Sequence, residues 1–324
     1  MGAWRHWFYA IAIAAVATSA AAADLPISPN IWQPVLVPRP YPQWEIDIGG
    51  RYFFSSGRTQ SDLFGVIGGP PIFLSRLTWT GLQAQSGELF GRVEHQSGFF
   101  IKGFAGGGGI TSGNLQDEDF PPLFGGYSST NSDQHGGRLA YATVDFGWTW
   151  RSGGPRFEGS KLGFFMGYSY NHERLNAFGC TQTAGNPFIC VPPIPSSVLG
   201  ITEEFNWNAI RLGVNGEWRF GGGWIVSADL AWVPWAWLNA TDIHWLRPFT
   251  APETGGSFSN VQIEALLRYQ FVNGLSVGVG GRYWRLDTSG ADVNIDGSQQ
   301  GIAVSSQRWG VFLQGSYRFF VLAN

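Results

Sequence analysis

Two short motifs in this chain contain side chains that can transfer protons. The stretch "LQDEDF" contains Asp117 and Asp119, and the stretch "ATDIHW" contains Asp242 and His244. A carboxylate beside an imidazole orients the ring and makes it a stronger base. Two neighbouring carboxylates repel each other, so one of them stays protonated or hydrogen-bonded. A water molecule held between the two pairs could be deprotonated and directed at a carbonyl carbon, which would hydrolyse a peptide without a covalent intermediate.

Each motif by itself is weak evidence for catalysis. An Asp-x-Asp in a loop is most often a solvated turn or a cation site, so a calcium-binding loop built on Asp117 and Asp119 is an open alternative. The two motifs indicate a reaction only if the fold brings them to the same place. The elements that carry them therefore decide the interpretation.

The composition favours an exported protein. Aromatic residues make up 16% of the chain and there are 46 glycines, whereas charged residues make up only 13%, about half the usual share in soluble proteins. The formal net charge is −3, which gives no basic surface, so no nucleic-acid partner is expected. Residues 1–23 have a short basic start, an apolar core and the small residues Ala21 to Ala23, which predicts a cleaved signal peptide.

The rest of the sequence favours strands that cross a membrane. No later stretch holds about 18 uninterrupted apolar residues, so a spanning helix is not expected, and a chain that crosses lipid without helices must be a closed barrel. A membrane barrel alternates apolar and polar residues over segments of about ten residues. In "VQIEALLRYQF", Val261 and Ile263 share one face while Gln262 and Glu264 share the other. The segments "NAIRLGVNGEWRF", "RWGVFLQGSYRF" and "YATVDFGWTWR" alternate in the same way.

These patterns predict an all-β fold, a single transmembrane antiparallel up-and-down β-barrel of about ten strands. The segment 24–43 is proline-rich and is predicted to be a periplasmic lead-in, and the barrel is predicted over 44–324. The predicted strands cover 44–56, 75–94, 99–111, 139–151, 161–174, 203–219, 224–240, 259–271, 275–288 and 306–320. The long connections, which are extracellular in such barrels, are 57–74, 112–138, 175–202, 241–258 and 289–305. Both motifs then lie on the extracellular side.

The orientation of the second motif depends on Pro234. Strict alternation from an inward Asp229 would direct Asp242 and His244 towards lipid. Proline cannot donate to a strand ladder and is found in sheets at edges or bulges. A bulge near Pro234 is therefore predicted, and it would turn the Asp-x-His pair inward.

The two cysteines fall in the third long loop. Cys180 and Cys190 are separated by nine residues, and in an exported protein a loop-closing disulfide is favoured over two free thiols. Its expected effect is to stiffen an exposed loop.

At the two motifs the chain resembles the omptins, ten-stranded outer-membrane proteases with an Asp-x-Asp after strand three and an Asp-x-His after strand seven. The segments "SGRTQSDLF", "SDQHGGRLAYATVDFGW" and "GFFMGYSYNHERL" are similar to omptin segments too, so the resemblance covers most of the barrel. It implies an aspartate/histidine-dependent endopeptidase in the bacterial outer membrane. Asp242 and His244 would be the general-base dyad, Asp117 would hold the attacking water, and Asp119 would support Asp117.

The resemblance also implies contacts with substrate and lipid. Omptins grip a basic side chain with acidic residues, and the matching positions here are Ser61 and Ala240, with Asp62 as a neighbouring substitute. Their lipopolysaccharide contact corresponds, at different spacing, to Tyr170, Glu173 and Arg174. The expected partners are a peptide or protein substrate at the cell surface and outer-membrane lipid. No metal or other cofactor is implied apart from lipopolysaccharide, and a monomer is expected.

Two further readings stay open. The same scaffold could be a non-catalytic surface protein that binds, adheres or has a structural role, since Ser61 and Ala240 are not acidic. A passive pore is less favoured, because about ten strands enclose a narrow lumen that inward charged side chains would fill. Those side chains are Arg211, Arg219, Glu264, Arg268 and Arg318.

Overall fold

The structure is a computed structural model that describes residues 42–66, 70–152, 159–247, 249–258, 260–288, 290–295 and 297–322. The predicted signal peptide, 1–23, lies outside the described residues, as does the predicted lead-in 24–43 apart from its last two residues, which begin the first strand. Within the described part of the chain, no helix has the length and apolar character needed to cross a membrane.

Antiparallel strands account for most of the described residues. They are β1 (Pro42–Gly65), β2 (Ile72–His95), β3 (Phe99–Asp119), β4 (Ser128–Gln134), β5 (Gly137–Ser152), β6 (Ser160–Gln182), β7 (Ile194–Phe220), β8 (Trp224–His244), β9 (Phe249–Ser257), β10 (Asn260–Gln270), β11 (Leu275–Asp287), β12 (Gly290–Ile295) and β13 (Ser298–Leu322). A 3₁₀ turn, Leu123–Gly125, is the one helical element in these ranges.

The strands pair in a succession that returns to its start. From β1 the pairings run through β2, β3, β5, β6, β7, β8, β10, β11 and β13, and β13 pairs with β1. The short strands β4, β9 and β12 pair beside this succession. The all-β antiparallel class is confirmed. The count is 13 strands instead of about ten, because β4, β9 and β12 form inside stretches that were predicted to be loops.

Side chains alternate as the sequence predicts along the middle of the sheet. In β5, Val144, Phe146 and Trp148 are exposed on the outer face, whereas Asp145 between them is buried inside. The exposed apolar side chains of neighbouring strands continue around the outside as one belt. Members of this apolar belt include Ile48, Phe54, Leu89, Ile101, Phe146, Phe164, Leu212, Trp232, Ile263, Val277 and Leu313.

Above the belt, the outward side chains are polar and the inward side chains are apolar. The outward residues of β1 change from Tyr52 and Phe54 to Arg58 and Gln60, while the inward side chains of β2 include the buried Trp79 and Leu82. Strands therefore continue through much of the stretches predicted to be loops, because inward apolar side chains give the extensions a core of their own. The prediction of long loops starting at residues 57, 112 and 175 was wrong in this respect.

The interior at the level where the belt ends is packed with apolar side chains. Large buried members of this apolar plug are Phe53, Trp79, Trp207, Trp284 and Phe312. Arg308 and Glu173 form an ion pair of 2.8 Å within it, and Arg308 is fully buried. Below the plug, the charged side chains predicted to fill the lumen do face inward, as with Arg211 paired to Asp145 and Arg268 paired to Asp47. The plug and the charged groups thus both occupy the interior of the sheet at this level.

The predicted bulge in β8 is confirmed. On the neighbouring β7, Ile210 lies opposite Trp235 and Leu212 lies opposite Trp232, so β8 holds one residue more than its partner between these positions. Trp232 and Trp235 are both exposed, and Val233 and Ala236 are both buried. The extra residue at Pro234 thus shifts the alternation, and Asp242 and His244 face inward.

The predicted disulfide is also confirmed. Cys180 and Cys190 are bonded, with 5.7 Å between their Cα atoms. The hairpin that they close lies against the segment between β3 and β4, because Asn186 donates hydrogen bonds from its amide to the carbonyl oxygens of Phe124 and Tyr127. The amide side chain of Asn186 is buried in this contact.

Candidate functional site

The four residues predicted to act as acids and bases line one cavity. Asp117 and Asp119 are among the last three residues of β3, and Asp242 and His244 are among the last three residues of β8. Asp242 lies five residues beyond Trp237, about 16 Å further along the strand at roughly 3.3 Å per residue, so the site is above the apolar belt. The cavity has a volume of about 420 Å³. Its other described lining residues are Ser61, Leu63, Leu74, Ser75, Leu77, Leu123, Phe124, Arg247, Phe249, Ala251, Glu253, Val293, Ile295, Gln300 and Ile302.

Asp242 and His244 form a hydrogen-bonded dyad. The His244 Nε2 atom is 2.8 Å from Asp242 Oδ2, so the tautomer that fits has its proton on Nε2 and a free lone pair on Nδ1. Burial alone would lower the pKa of the imidazole, but the hydrogen bond and charge of Asp242 outweigh burial and raise this pKa above its ordinary value. The ring is thus a stronger base than a free histidine.

Asp117 and Asp119 form the opposite side of the site. Burial, followed by the nearby charges of Asp119 and Asp242, raises the pKa of Asp117 to about 7, although His244 and Arg247 oppose that rise. Burial also raises the pKa of Asp119, against a hydrogen bond with Ser75. The charges of Asp117 and His244 therefore act on each other across the cavity. Near neutral pH the site can hold or release protons on both sides.

Two buried glutamates were missed by the sequence analysis. Glu203 of β7 lies opposite Asp242, and it accepts hydrogen bonds from the Ser61 hydroxyl at 3.4 Å and from the indole of Trp79. Burial, then the charges of Asp242 and Glu253, raise the pKa of Glu203 well above its ordinary value.

Glu253 of β9 lies opposite Ala240. Burial, then the charge of Asp242, raise its pKa to about 8. Its Oε2 atom is buried and has no hydrogen-bond partner among the described residues. Glu253 therefore lines the cavity from β9, and Glu203 is buried next to it on β7, whereas acids were expected on β1 and β8.

Of these two glutamates, Glu203 could have been found from the sequence. It has the same parity as the inward Arg211, so simple alternation along 203–219 directs it into the interior. Glu253 could not, because it lies in a stretch predicted to be a loop, and its position depends on the pairing of β9 with β8 and β12.

The residues suggested to bind substrate are placed differently from one another. Ser61 is buried and lines the cavity. Asp62 has the opposite parity, faces outward and is ion-paired with Arg76 at 2.7 Å, so it is not a lining residue. Ala240 is buried beneath the dyad between Phe205 and Glu253. The structure thus brings Ser61 and Ala240 near the dyad and leaves Asp62 outside.

The residues suggested to bind lipid also divide between the two faces of β6. Tyr170 and Arg174 face outward, where Tyr170 donates a hydrogen bond to Asn206 at 2.8 Å and Arg174 lies 3.3 Å from Glu204. Glu173 faces the interior and pairs with Arg308. Glu173 therefore cannot take part in a lipid contact on the outer face, because successive residues of a strand point to opposite faces.

A metal site is not evident. Among the described residues, no group of three or more histidine, cysteine, aspartate or glutamate side chains is arranged to hold a metal ion.

No protein-family model and no curated protein matches the sequence. Solved structures do match. The outer membrane protease OmpT from Escherichia coli has a TM-score of 0.67 and 13% sequence identity, with 85% of this chain and 97% of that chain covered. The outer membrane protein AlkL has a TM-score of 0.34, 13% identity and coverage of 91% and 99%. The attachment invasion locus protein Ail of Yersinia pestis has a TM-score of 0.26, 11% identity and coverage of 83% and 99%. The similarity to OmpT shows that this chain has the same fold.

Proposed function

We propose that this chain is an omptin-like outer-membrane endopeptidase, which hydrolyses exposed peptides with a water molecule activated by aspartate and histidine. One observation carries the proposal. Two motifs that are 125 residues apart (Asp117 to Asp242) line the same cavity, with a hydrogen-bonded Asp242–His244 dyad on one side and the Asp117–Asp119 pair on the other. The fold shared with a protein described as an outer membrane protease supports it.

The location in the outer membrane rests on the outer surface of the sheet. The apolar belt encircles strands whose pairings return to β1, as a transmembrane barrel requires, since lipid satisfies no free backbone groups. The site lies at the strand ends beyond this belt, where an extracellular peptide has access. Tyr170 and Arg174, together with the exposed Arg138 opposite Arg174 on β5, are the outward residues best placed to contact lipid headgroups.

The reaction follows from the hydrogen bond between the dyad residues. A water molecule between Asp117 and His244 is oriented by the Asp117 carboxylate, and its proton passes to Nδ1 of His244. Asp242 stabilises the imidazolium that forms. The water oxygen attacks the carbonyl carbon of the peptide. When the intermediate collapses, the imidazolium returns the proton to the leaving amine.

The test uses the refolded protein in the presence of lipopolysaccharide and a mixed peptide library, with cleavage products identified by mass spectrometry. We expect cleavage by the wild type and at least a hundredfold loss in His244→Ala and Asp117→Asn, as for removal of a general base. His95→Ala is the matched control, because His95 is the last residue of β2, at the end of that strand away from the cavity, and its ring contacts Ser97. The function is disproved if correctly folded wild type leaves the library intact, or if His244→Ala cleaves as well as His95→Ala.

One observation favours a second candidate, a non-catalytic surface protein that binds peptides. The positions that match the acidic gripping residues of omptins are Ser61 and Ala240. The same library decides, because a binding protein would retain peptides in pull-down while leaving every peptide uncut.

A further inference from the structure

The proposed reaction creates a negative charge that the four predicted residues cannot stabilise. When water adds to the peptide carbonyl, the carbonyl oxygen becomes an oxyanion, and hydrolases stabilise such an atom with positive charge or hydrogen-bond donors. Asp117, Asp119 and Asp242 are carboxylates, and His244 becomes positive only on the side that has taken the proton. A donor is therefore required from elsewhere in the cavity lining.

Arg247 is the one arginine or lysine among the described residues that line the cavity. It follows His244 by three residues, in the turn between β8 and β9, and it is exposed. Its charge reaches the reactive groups, because it opposes the rise in the pKa of Asp117, of Asp119 and of His244. Within the described residues it forms no ion pair, in contrast to the arginines of the interior. Its guanidinium thus lies over the cavity with its donors unused.

The guanidinium is held in place by an aromatic ring. The Cζ atom of Arg247 lies 5.2 Å from the centre of the Phe124 ring, a distance typical of cation–π contacts. Phe124 belongs to the 3₁₀ turn between β3 and β4 and has a left-handed φ of 45°. Its carbonyl oxygen accepts a hydrogen bond from Asn186 of the disulfide hairpin. Arg247, Phe124 and Asn186 therefore form a connected roof over the cavity.

We propose that Arg247 stabilises the oxyanion during peptide hydrolysis, with Phe124 as a positioning residue for its guanidinium. This inference rests on the proposed function. The carbon–oxygen bond to water forms while the π electrons of the carbonyl move onto its oxygen, which accepts hydrogen bonds from the Arg247 N–H groups. The water proton goes to His244. The oxyanion electrons then re-form the carbonyl, the carbon–nitrogen bond breaks, and the leaving nitrogen takes the proton from His244.

The test compares Arg247→Met, Arg247→Lys and Phe124→Leu with the wild type on one cleaved peptide. Arg247→Met should lower kcat by about a hundredfold with little change in KM, the usual effect of losing one oxyanion donor. The kcat of Arg247→Lys should lie between those of the wild type and Arg247→Met, because an ammonium group keeps the charge but lacks the planar guanidinium geometry. The kcat of Phe124→Leu should be several-fold lower than that of the wild type. Arg285→Met is the matched control, because Arg285 is an exposed extracellular arginine paired with Asp287 away from the cavity.

A phosphinate peptide, whose tetrahedral anion resembles the intermediate, separates this role from simple binding. Arg247→Met should weaken inhibition by the phosphinate by the same factor by which it lowers kcat/KM, and it should leave the affinity for an uncleaved product peptide nearly unchanged. Equal weakening of phosphinate and product binding would overturn the inference, and so would losses limited to peptides with acidic side chains. If wild type cleaves and His244→Ala does not, but Arg247→Met is fully active, the inference fails while the proposed function stands. If wild type fails to cleave at all, both fail.

Discussion

Two groups of buried acids lie inside the same sheet, and they are surrounded differently. At the level of the apolar belt, Asp47 is contacted by Arg268 at 2.6 Å and by Arg318 at 2.8 Å. Glu88 is contacted in the same way by Arg282 at 2.7 Å. In the cavity above the belt, Asp117, Asp119 and Glu253 form no ion pair with arginine or lysine within the described residues. The same holds for Glu203, which is buried opposite Asp242 on the neighbouring strand.

The comparison shows that burial does not decide what an inward acid does. A buried carboxylate that is paired and hydrogen-bonded holds its neighbours in one arrangement, and it becomes costly only when a partner is removed. A buried carboxyl without a cation keeps its proton to unusually high pH, as Asp117 and Glu253 do. The paired group therefore closes and stabilises the interior, and the unpaired group supplies proton-transfer chemistry at neutral pH.

The largest expected effect is on activity without a loss of stability, and it comes from a substitution in the cavity. Asp117→Asn should lower kcat/KM by about 10²–10⁴-fold, since it removes a group that orients the attacking water. The free energy of unfolding should stay the same or rise, because burial and Asp119 disfavour the ionised form of Asp117. Peptide kinetics and urea unfolding in detergent micelles measure the two quantities. A large loss of stability would show that Asp117 belongs with the paired acids.

Removing a cation at the level of the apolar belt should lower stability and leave activity nearly unchanged. Arg282→Met removes one of the two guanidinium groups that contact both Glu88 and Glu264 and leaves Arg51 as the other. Two buried carboxylates then share one cation, and breaking a buried pair in this way costs about 3–5 kcal/mol. Urea unfolding followed by tryptophan fluorescence measures the loss. The double variant with Glu264→Gln should recover much of it, because Arg51 and Glu88 then remain as one balanced pair, and activity per folded molecule should change little.

The dependence of stability on pH should come from the upper acids. The pKa of Glu253 is about 8 in the folded protein, above the value of about 4.3 expected in the unfolded chain. The folded state therefore binds more protons between these values, and its stability decreases as pH rises through this window. Glu253→Gln should flatten this decrease by a few kcal/mol. Unfolding curves at pH 5 and pH 9 test it, and identical slopes for both proteins would contradict the assignment.

The dependence of activity on pH should come from the same cavity. The proton acceptor His244 must be neutral, and Asp117, with a pKa of about 7, must be ionised. We expect kcat/KM to fall by about tenfold per pH unit below neutrality, with an apparent pKa that belongs to the cluster as a whole. The residual activity of Asp242→Asn should have its acidic limb at lower pH, because Asp242 raises the pKa of His244.

The smallest effect should come from the disulfide hairpin. The double variant Cys180→Ser, Cys190→Ser removes a cross-link around a short loop whose Asn186 holds the roof segment. We expect a several-fold loss of kcat and little change in the unfolding of the belt region, because loop closure affects mainly its own segment. Proteolysis of the hairpin and peptide kinetics check both. A double variant with unaltered kcat would show that the roof keeps its position without the disulfide.

The sequence predicts the part of the fold that lipid and alternation govern. Val144, Asp145 and Phe146 show the outward and inward parity that lipid on one side and ion pairs on the other require. The need for a bulge at Pro234 could also be derived from the sequence, because the parity between Asp229 and Asp242 cannot otherwise hold.

The sequence is less informative above the belt. There the outer face is in water and no longer needs apolar residues, so the extension of β1 as far as Gly65 has no lipid-facing pattern. Parity would still have separated the inward Ser61 from the outward Asp62, and the outward Arg174 from the inward Glu173. Glu253 and Arg247 could not be placed at all, because the pairing of β9 and the packing of the roof depend on contacts between distant segments.

The extra residue at Pro234 makes the site sensitive to the length of β8 more than to its composition. Deleting one residue between Trp232 and Asp242 would turn the dyad to the outer face, whereas deleting two would return it to the cavity one step lower. Substitution of Pro234 by a residue that preserves the bulge would leave the orientation intact. Related chains that keep an inward dyad can therefore differ in residue type along this strand as long as the outward and inward pattern is kept, but the number of residues between the belt and the dyad should change only in even steps.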